Sequence, residues 1–397
     1  MVEVPLRHNR EFTALWAGQT VSAFGTSVAG LAYPLLVLAL TGSPAAAGLV
    51  GSVLAATAFL TRLPAGLIAD RVDRKRLMLA CDAVRAVAVG SIGAAVLVDR
   101  VTLAHVMLVA VVDGAAGTLF APAEAVAVRR VVAPAQVRDA VARGEARQQL
   151  AALVGPATGG VLFGAGRALP FLVDALSYAV SFAAVCTLRT PLTDPARPGG
   201  RVWAGLGDGV RWLWRQPFLR AVTLWLAAAG VLYPAMGLVT LVLARERGAT
   251  AAAVGLVFTA AGAGGLAGAL AAPWLLRRLP PVAVVVGYAS TAAAATWAML
   301  AVDPVWTLGV LGAVAFFPVP AVNALVLSHV ALDVPDALHG RVVSATTQLT
   351  TLLHPVGPGV VGLLLAATGA RATVMVCGVL FTVLAIAALA NRPMRTG

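Results

Sequence analysis

Residues 70–76 read Asp-Arg-Val-Asp-Arg-Lys-Arg, six charges in seven positions, and they lie between two apolar stretches that are each long enough to cross a bilayer. Such a turn must sit in water, so the chain on either side of it is committed to a membrane. Its four cations outweigh its two carboxylates, which by the positive-inside bias places the turn on the cytoplasmic side. Every other span takes its direction from it.

Composition agrees with that assignment. The 397 residues are 60% hydrophobic and 12% charged, where soluble chains carry about a quarter charged residues. The chain reads as an all-α integral membrane protein. A net charge of +12 would suggest nucleic acid in a soluble protein; here the basic residues collect in short loops, where they face anionic lipid, and no nucleic-acid partner is expected. Cys81, Cys186 and Cys377 lie in apolar segments without CxxC or Cys/His spacing, so they read as small core residues, and neither a disulfide, a metal nor any other cofactor is implied. Arg7 and Arg10 precede an apolar run of roughly 30 residues with no cleavage pattern, so no removable signal is expected there.

At about 20 apolar residues per crossing, spans are predicted over 12–40, 46–69, 77–98, 102–128, 141–166 and 168–188, then over 218–244, 251–276, 281–301, 304–330, 341–367 and 371–390. Domains are expected at 1–188 and 217–397, separated by a cytoplasmic linker at 189–216 that holds Pro191, Pro195, Pro198, Arg197 and Arg201 and a short amphipathic helix near Val202 to Trp214. With both termini in the cytoplasm, roughly twenty Lys and Arg fall inside against about five outside, and the spans must be even in number. Twelve satisfies this.

The two sets of six look like copies. Tyr33-Pro34 recurs as Tyr233-Pro234, Gly48-Leu49-Val50 as Gly255-Leu256-Val257, and Val154-Gly155-Pro156 as Val356-Gly357-Pro358, in the same order. A duplicated bundle of this kind builds its binding cavity where the halves face each other and works by rocking one half against the other.

Over almost its whole length the sequence resembles the major facilitator superfamily. Gly66, Asp70, Arg71, Arg74, Lys75 and Arg76 are similar to that family's motif A between spans 2 and 3. Asp73 stands where a Gly is often found, as in the bacterial drug and siderophore exporters sometimes called transmembrane secretion effectors. Arg7 to Gln19, Asp82 with Arg85, and Asp174 to Tyr178 resemble the same subgroup. Span 5 resembles the antiporter motif C through Gly155, Pro156, Gly159 and Gly160, with Ala142 and Ala151 in place of upstream glycines. Two positions depart from the pattern: Gly25 is followed by Thr26 and not by an acid, and Ala110 replaces the arginine of motif B.

The resemblance implies a twelve-helix fold of two pseudo-symmetric six-helix bundles and a cytoplasmic latch, in which Asp70, steadied by Arg74, faces the N-terminal end of span 11 near Pro335 to Arg341. A helix dipole favours such an anion by about 0.3–1 kcal/mol. Gly66 would allow the close approach, and Arg341 would join the contact. Span 5 is expected either to pack through its small residues or to bend against span 8 or its equivalents and seal the leak path. Charges inside spans are costly unless paired or wet, so Asp113, Glu124, Asp174, Asp82, Arg85 and Arg147 are the candidates for coupling. Of these, Asp113 reads either as a proton or substrate group or as half of a static pair or a solvated cavity wall, Asp174 as a hydrogen bond to neighbouring helices, and Asp82 with Arg85 as a local pair three residues apart. Glu124 is placed to meet Arg129 or Arg147.

The resemblance also implies a cavity lined by spans 1, 4, 7 and 10, whose candidates here are Gln19, Thr26, Tyr33, Trp225, Tyr233, Phe316 and Asn323, with Gln348 and His354 added from span 11. Aromatic faces with a few amides and hydroxyls suit an amphipathic molecule better than a sugar. The function expected is export of a hydrophobic or amphipathic small molecule (drug, antibiotic or siderophore-like metabolite) by alternating access, as proton antiport, from a monomer in the cell inner membrane. The alternative is a metabolite importer or uniporter of the same fold. No Walker loop is present and Lys75 is the sole lysine, so this polypeptide does not cradle ATP in that way. No convergent catalytic set marks it as an enzyme.

Overall fold

The structure, a computed structural model, describes residues 5–192 and 202–395, which are helix and turn throughout. In chain order the helices are α1 Arg10–Thr41, α2 Pro44–Arg71, α3 Arg74–Leu97, α4 Leu103–Val131, α5 Val137–Ala165, α6 Leu169–Cys186, α7 Val202–Arg215, α8 Pro217–Glu246, α9 Ala251–Arg278, α10 Pro281–Ala298, α11 Val305–Phe316, α12 Val319–Asp333, α13 Asp336–Thr351, α14 Val356–Ala390 and α15 Arg392–Arg395. Among the described residues ten stretches are long and apolar enough to cross a membrane. One of these, 338–390, holds two crossings, because Gly369 adopts φ 79° inside α14 and reverses the chain there. A residue with a Cβ would be strained at that φ. The 29-residue α5 is the remaining span; Arg138, Asp139, Arg143, Glu145 and Arg147 fill its first three turns and dilute its hydropathy. This gives twelve transmembrane helices in two six-helix bundles, with α7 between them in sequence.

Helix starts follow from local chemistry. Asn9 caps α1 by accepting from the Phe12 amide at 3.1 Å, and its Nδ2 donates to Val131 O at 2.6 Å, tying the start of α1 to the end of α4. Asp73 caps α3 through the Arg76 amide at 2.8 Å. That explains an acid where the motif often has glycine. Thr102 and Thr250 cap α4 and α9 in the same way.

Two spans read as continuous from sequence are broken. The tenth is split at Phe317-Pro318 between α11 and α12, and the eleventh at residues 352–355 between α13 and α14. Proline has no amide to continue either ladder.

The chain divides into two compact units, Met1–Gly42 with Val53–Gly200 and Ser43–Ser52 with Arg201–Gly397. Ser43–Ser52 groups with the second because a Cβ on Gly362 would lie 2.7 Å from Pro44 O, and the Gly359 amide donates to Ser52 Oγ at 2.8 Å. Of the expected linker, Pro195, Arg197, Pro198 and Arg201 lie outside the described residues. Its helix α7 buries Leu213 among Leu219, Val222 and Val342 of the second unit.

Apolar burial does not drive helices together in lipid, so close packing at small residues carries the bundles. In the first unit a Cβ at Gly155 would collide with Ser27 Oγ, and one at Gly159 would lie 2.5 Å from Val28 O; Gly160 is buried beside them. In the second unit Gly357 packs onto Val231 O of α8. The repeated Val-Gly-Pro thus makes the same kind of contact twice. In the first bundle the glycines of α5 pack on α1, which crosses close enough to admit no side chain, the small-residue packing that the sequence left open beside a bend against span 8 or its equivalents. Cys81 and Cys377 are buried, whereas Cys186, at the end of α6, is exposed and not a core residue.

Candidate functional site

The first unit holds a buried polar network on α1, α3, α4 and α6. Arg85 Nε donates to Asp113 Oδ1 at 2.7 Å, and its guanidinium lies 4.0 Å above the Tyr178 ring. Tyr178 Oη contacts Asp113 Oδ1 at 3.4 Å and Thr26 Oγ1 at 2.9 Å. Gln19 Nε2 donates to Ser181 Oγ at 2.7 Å, and Ser181 donates to Asp82 Oδ2 at 2.6 Å. Asp174 is 1% exposed and accepts from Ser177 Oγ at 3.3 Å.

Several expectations change here. Asp82 and Arg85 do not pair with each other: Arg85 reaches across to α4 and Asp82 to α6, because neighbouring helices present better-placed partners than the next turn does. Asp174 takes its hydrogen bond from its own helix and not from neighbours. Gln19 and Thr26 are spent on α6, and Tyr33 is 6% exposed with its ring edge-on to Phe171 at 5.3 Å. Within this bundle Gln19 and Tyr33 are buried, whereas Thr26 is bonded to Tyr178 and yet exposed. Sequence reading missed Tyr178, Ser177 and Ser181 as partners. Their signal was present, since positions 174, 177, 178 and 181 form one polar stripe on an apolar helix.

Glu124 accepts from Arg147 Nη2 at 2.9 Å, and this pair, with Phe12, Trp16 and Arg129, lines a cavity of about 350 Å³ among α1, α4 and α5.

The second unit has a larger cavity, about 610 Å³, walled by α8, α10, α11, α12 and α13. Tyr233, Phe316 and Asn323 line it as expected residues, and His354 with them. Tyr233 stacks on Tyr288 at 4.7 Å, meets Phe316 edge-on at 5.6 Å and donates to Ala315 O at 2.9 Å. Trp225 does not line it: Nε1 is bound to Leu384 O at 2.9 Å, and the ring packs against Tyr288. Gln348 is not part of its lining, but Thr346, Thr347, Thr350 and Thr351 border the space. Thr346 Oγ1 is buried with no hydrogen-bond partner. The spacing of those threonines, i, i+1, i+4 and i+5, placed them on one helix face. Both helix breaks open onto this cavity, with Phe316 and Val319 flanking one and Thr351 and His354 the other. Gly264 and Gly268 of α9 lie against Ala313 O and Phe317 O, so the first break is pressed onto a neighbouring backbone.

The charged turn is a clamp. Arg74, buried, joins Asp70 at 3.0 Å and Leu192 O at 2.8 Å. Lys75 Nζ donates to Cys186 O at 3.0 Å and Leu188 O at 2.6 Å. Glu11 accepts from the Arg189 and Thr190 amides at 2.7 and 3.2 Å and from the Thr190 hydroxyl. Burial pushes its carboxyl up, and these hydrogen bonds overcome that and hold it below the ordinary value. Arg71 is exposed. No helix of its own bundle approaches Gly66, where a Cβ would meet nothing within 4 Å. Arg341, expected beside Asp70, is bound to Asp208 of α7 at 2.8 Å, since Gly209 lets α7 pack onto the Arg341 backbone.

The sequence profile of the Major Facilitator Superfamily matches residues 15–354. The chain is 27% identical over 392 residues to the multidrug efflux pump Tap of Mycolicibacterium fortuitum, covering 95% of this chain and 93% of Tap. It is 25% identical over 380 residues to the enterobactin exporter EntS of Salmonella choleraesuis (strain SC-B67), covering 93% and 88%. Among solved structures it is similar to the nucleoside transporter NupG, with TM-score 0.76, 15% identity and 96% and 98% coverage. A bacterial homologue of the iron transporter ferroportin gives TM-score 0.73, 16% identity and 98% and 99% coverage. By the profile match over most of its length, and with the fold of these transporters, the chain belongs to the major facilitator superfamily, a family of membrane transporters and not of enzymes.

Proposed function

We propose that this transporter exports a hydrophobic or amphipathic small molecule, of the drug, antibiotic or siderophore-like kind, by alternating access and in exchange for protons. It acts as a monomer in the inner membrane with both termini in the cytoplasm. The observation that carries the reading is the cavity in the second unit. Its volume of about 610 Å³ falls within the roughly 300–1,000 Å³ usual for small-molecule sites. Its wall combines Tyr233, Tyr288 and Phe316 with hydroxyls of α13, and the buried Thr346 hydroxyl lacks a partner that a ligand would supply. Broken helices at such a cavity free backbone groups for a bound molecule, as at other transporter sites. A sugar would need many more polar partners than this wall offers. Likeness to multidrug and enterobactin efflux pumps adds support for outward movement of such compounds.

The test is ethidium efflux from cells of a pump-deficient bacterium expressing the chain, paired with ethidium uptake into inverted vesicles under an imposed pH gradient. Export predicts faster efflux and gradient-driven uptake, both lost in Tyr233→Ala. Accumulation into right-side-out vesicles instead would mean uptake and would sink the proposal.

A further inference from the structure

The buried charges of the first bundle do not balance. Asp82, Asp113 and Asp174 are 1%, 7% and 1% exposed, and Arg85 is the cation that the network places among them. Arg85 is committed to Asp113 at 2.7 Å and to the face of Tyr178. Asp82 accepts a short bond from Ser181. Asp174 has no ion pair among the described residues; it rests on Gly25, where a Cβ would lie 2.8 Å from Oδ1, accepts from Ser177 Oγ at 3.3 Å and lies in reach of the Tyr178 hydroxyl. The Tyr33 hydroxyl, in electrostatic reach of both Asp113 and Asp174, is buried without a hydrogen-bond partner.

Resting on the proton-exchange reading above, we propose that Asp174 is the group that carries the proton, with Asp113 serving as the fixed counter-ion of Arg85. One proton added to the Asp174 carboxylate makes a neutral acid and removes one buried charge that has no ion pair among the described residues; no other bond forms or breaks. The groups facing this site are few. From α1 comes Tyr33; from α3, Arg85 and, a turn away, Cys81; from α4, Asp113, while His105 is bonded to Ser91 of α3 at 2.8 Å; from α6 itself, Tyr178. The titratable residues of α5 end at Arg147, roughly five turns from the end of that helix nearest the start of α6. Of the three carboxylates Asp174 has neither the ion pair of Asp113 nor a bond as short as that from Ser181 to Asp82, Arg85 acts on it without touching it, and the small Gly25 leaves it room. Asp113, for which the sequence left a proton or substrate role open beside a static pair, already has its cation.

The full chain in proteoliposomes tests this with ethidium. Asp174→Asn is expected to keep ethidium counterflow within twofold of wild type while losing at least tenfold of the pH-gradient stimulation. Coupling that survives in Asp174→Asn, or counterflow lost together with it, overturns the proposal. An independent readout is the infrared carbonyl band of a neutral carboxylic acid, followed against pH in the purified protein. At pH values where exposed carboxylates are ionised, it is expected in wild type, Asp82→Asn and Asp113→Asn and lost or clearly reduced in Asp174→Asn; an unchanged band there overturns the proposal. Should Asp174→Asn fail to fold, Ser177→Ala removes one hydroxyl donor and is expected to move the midpoint of that titration, and an unmoved midpoint counts against Asp174. Wild-type protein that shows the band but no ethidium counterflow would defeat the export reading and leave the proton site standing.

Discussion

Arg85 on α3 donates to Asp113 on α4 at 2.7 Å, and both side chains are nearly buried, 11% and 8% exposed. Breaking one partner of such a pair leaves a charge without compensation at a cost of about 3–5 kcal/mol, whereas replacing both by apolar groups is often neutral. Arg85→Met is therefore expected to lower the unfolding midpoint in detergent sharply, and Arg85→Met with Asp113→Leu to recover most of that loss. Equal losses in the single and double variants would show that the pair is not coupled.

Glu11 makes the stability of the first unit depend on pH in a defined direction. Its folded carboxyl titrates below the ordinary 4.5, so the unfolded chain binds more protons through that range. The contribution is fully present above the unfolded value and disappears as pH falls through the folded one. The stability difference between wild type and Glu11→Gln is expected to be constant above about pH 5.5 and to shrink below 4.5. Thermal unfolding at a series of pH values measures this; a difference that grows toward acid would contradict it.

Span number and the charged turn were legible because water and lipid impose them on composition, and a stretch such as Leu169–Cys186 cannot be anything but a crossing or a buried helix. Partner choice was not. Asp82 and Arg85 share a helix face, and only the three-dimensional approach of α4 and α6 decides that each looks outward from it. The breaks at Phe317-Pro318 and near Pro355 carried a proline signal, but proline is common inside spans here, as Pro34 and Pro156 sit within unbroken α1 and α5. Nor does a close neighbour mark the break, since α5 stays continuous at Pro156 although Gly155 and Gly159 lie against α1.

Glycine packing of α5 on α1 gives a third prediction. Gly155→Ala forces a methyl group into Ser27 and is expected to cost about 1–3 kcal/mol, the usual range for overpacking. Gly164→Ala, on the same helix, meets open space and is expected to be neutral or to gain up to about 1 kcal/mol from helix propensity. Unfolding of the two variants in the same detergent compares them directly, and a stable Gly155→Ala would mean that α1 and α5 can separate freely.

The cavity of the second unit predicts a split between anchoring and polar contact. Tyr233 stacks on Tyr288 and bounds the space with its ring, so Tyr233→Ala is expected to weaken substrate binding about tenfold or more, and Tyr233→Phe far less. Thr346→Val keeps shape and removes the unpartnered hydroxyl; it is expected to weaken compounds with hydrogen-bonding groups by about tenfold and leave apolar ones within twofold. Binding assays across a compound series read both effects.

Lys75 is the chain's sole lysine, and both of its resolved bonds go to carbonyls at the end of α6, Cys186 O and Leu188 O. Terminal carbonyls of a helix lack intrahelical partners and carry partial negative charge, so a cation there is favourable. Lys75→Met removes the cap without introducing a new charge and is expected to loosen the last turn by about 1 kcal/mol, a roughly fivefold rise in hydrogen exchange at the Thr187 and Leu188 amides, which bond to Ala184 O and Val185 O. Lys75→Arg keeps a donor and a charge at the same reach and is expected to hold exchange near the wild-type rate. Arg74 and Glu11 grip the next residues independently, so α6 should stay docked and the change should be confined to that turn. Exchange that rises along the whole of α6 would instead mean that Lys75 supports the packing of the helix and not its end.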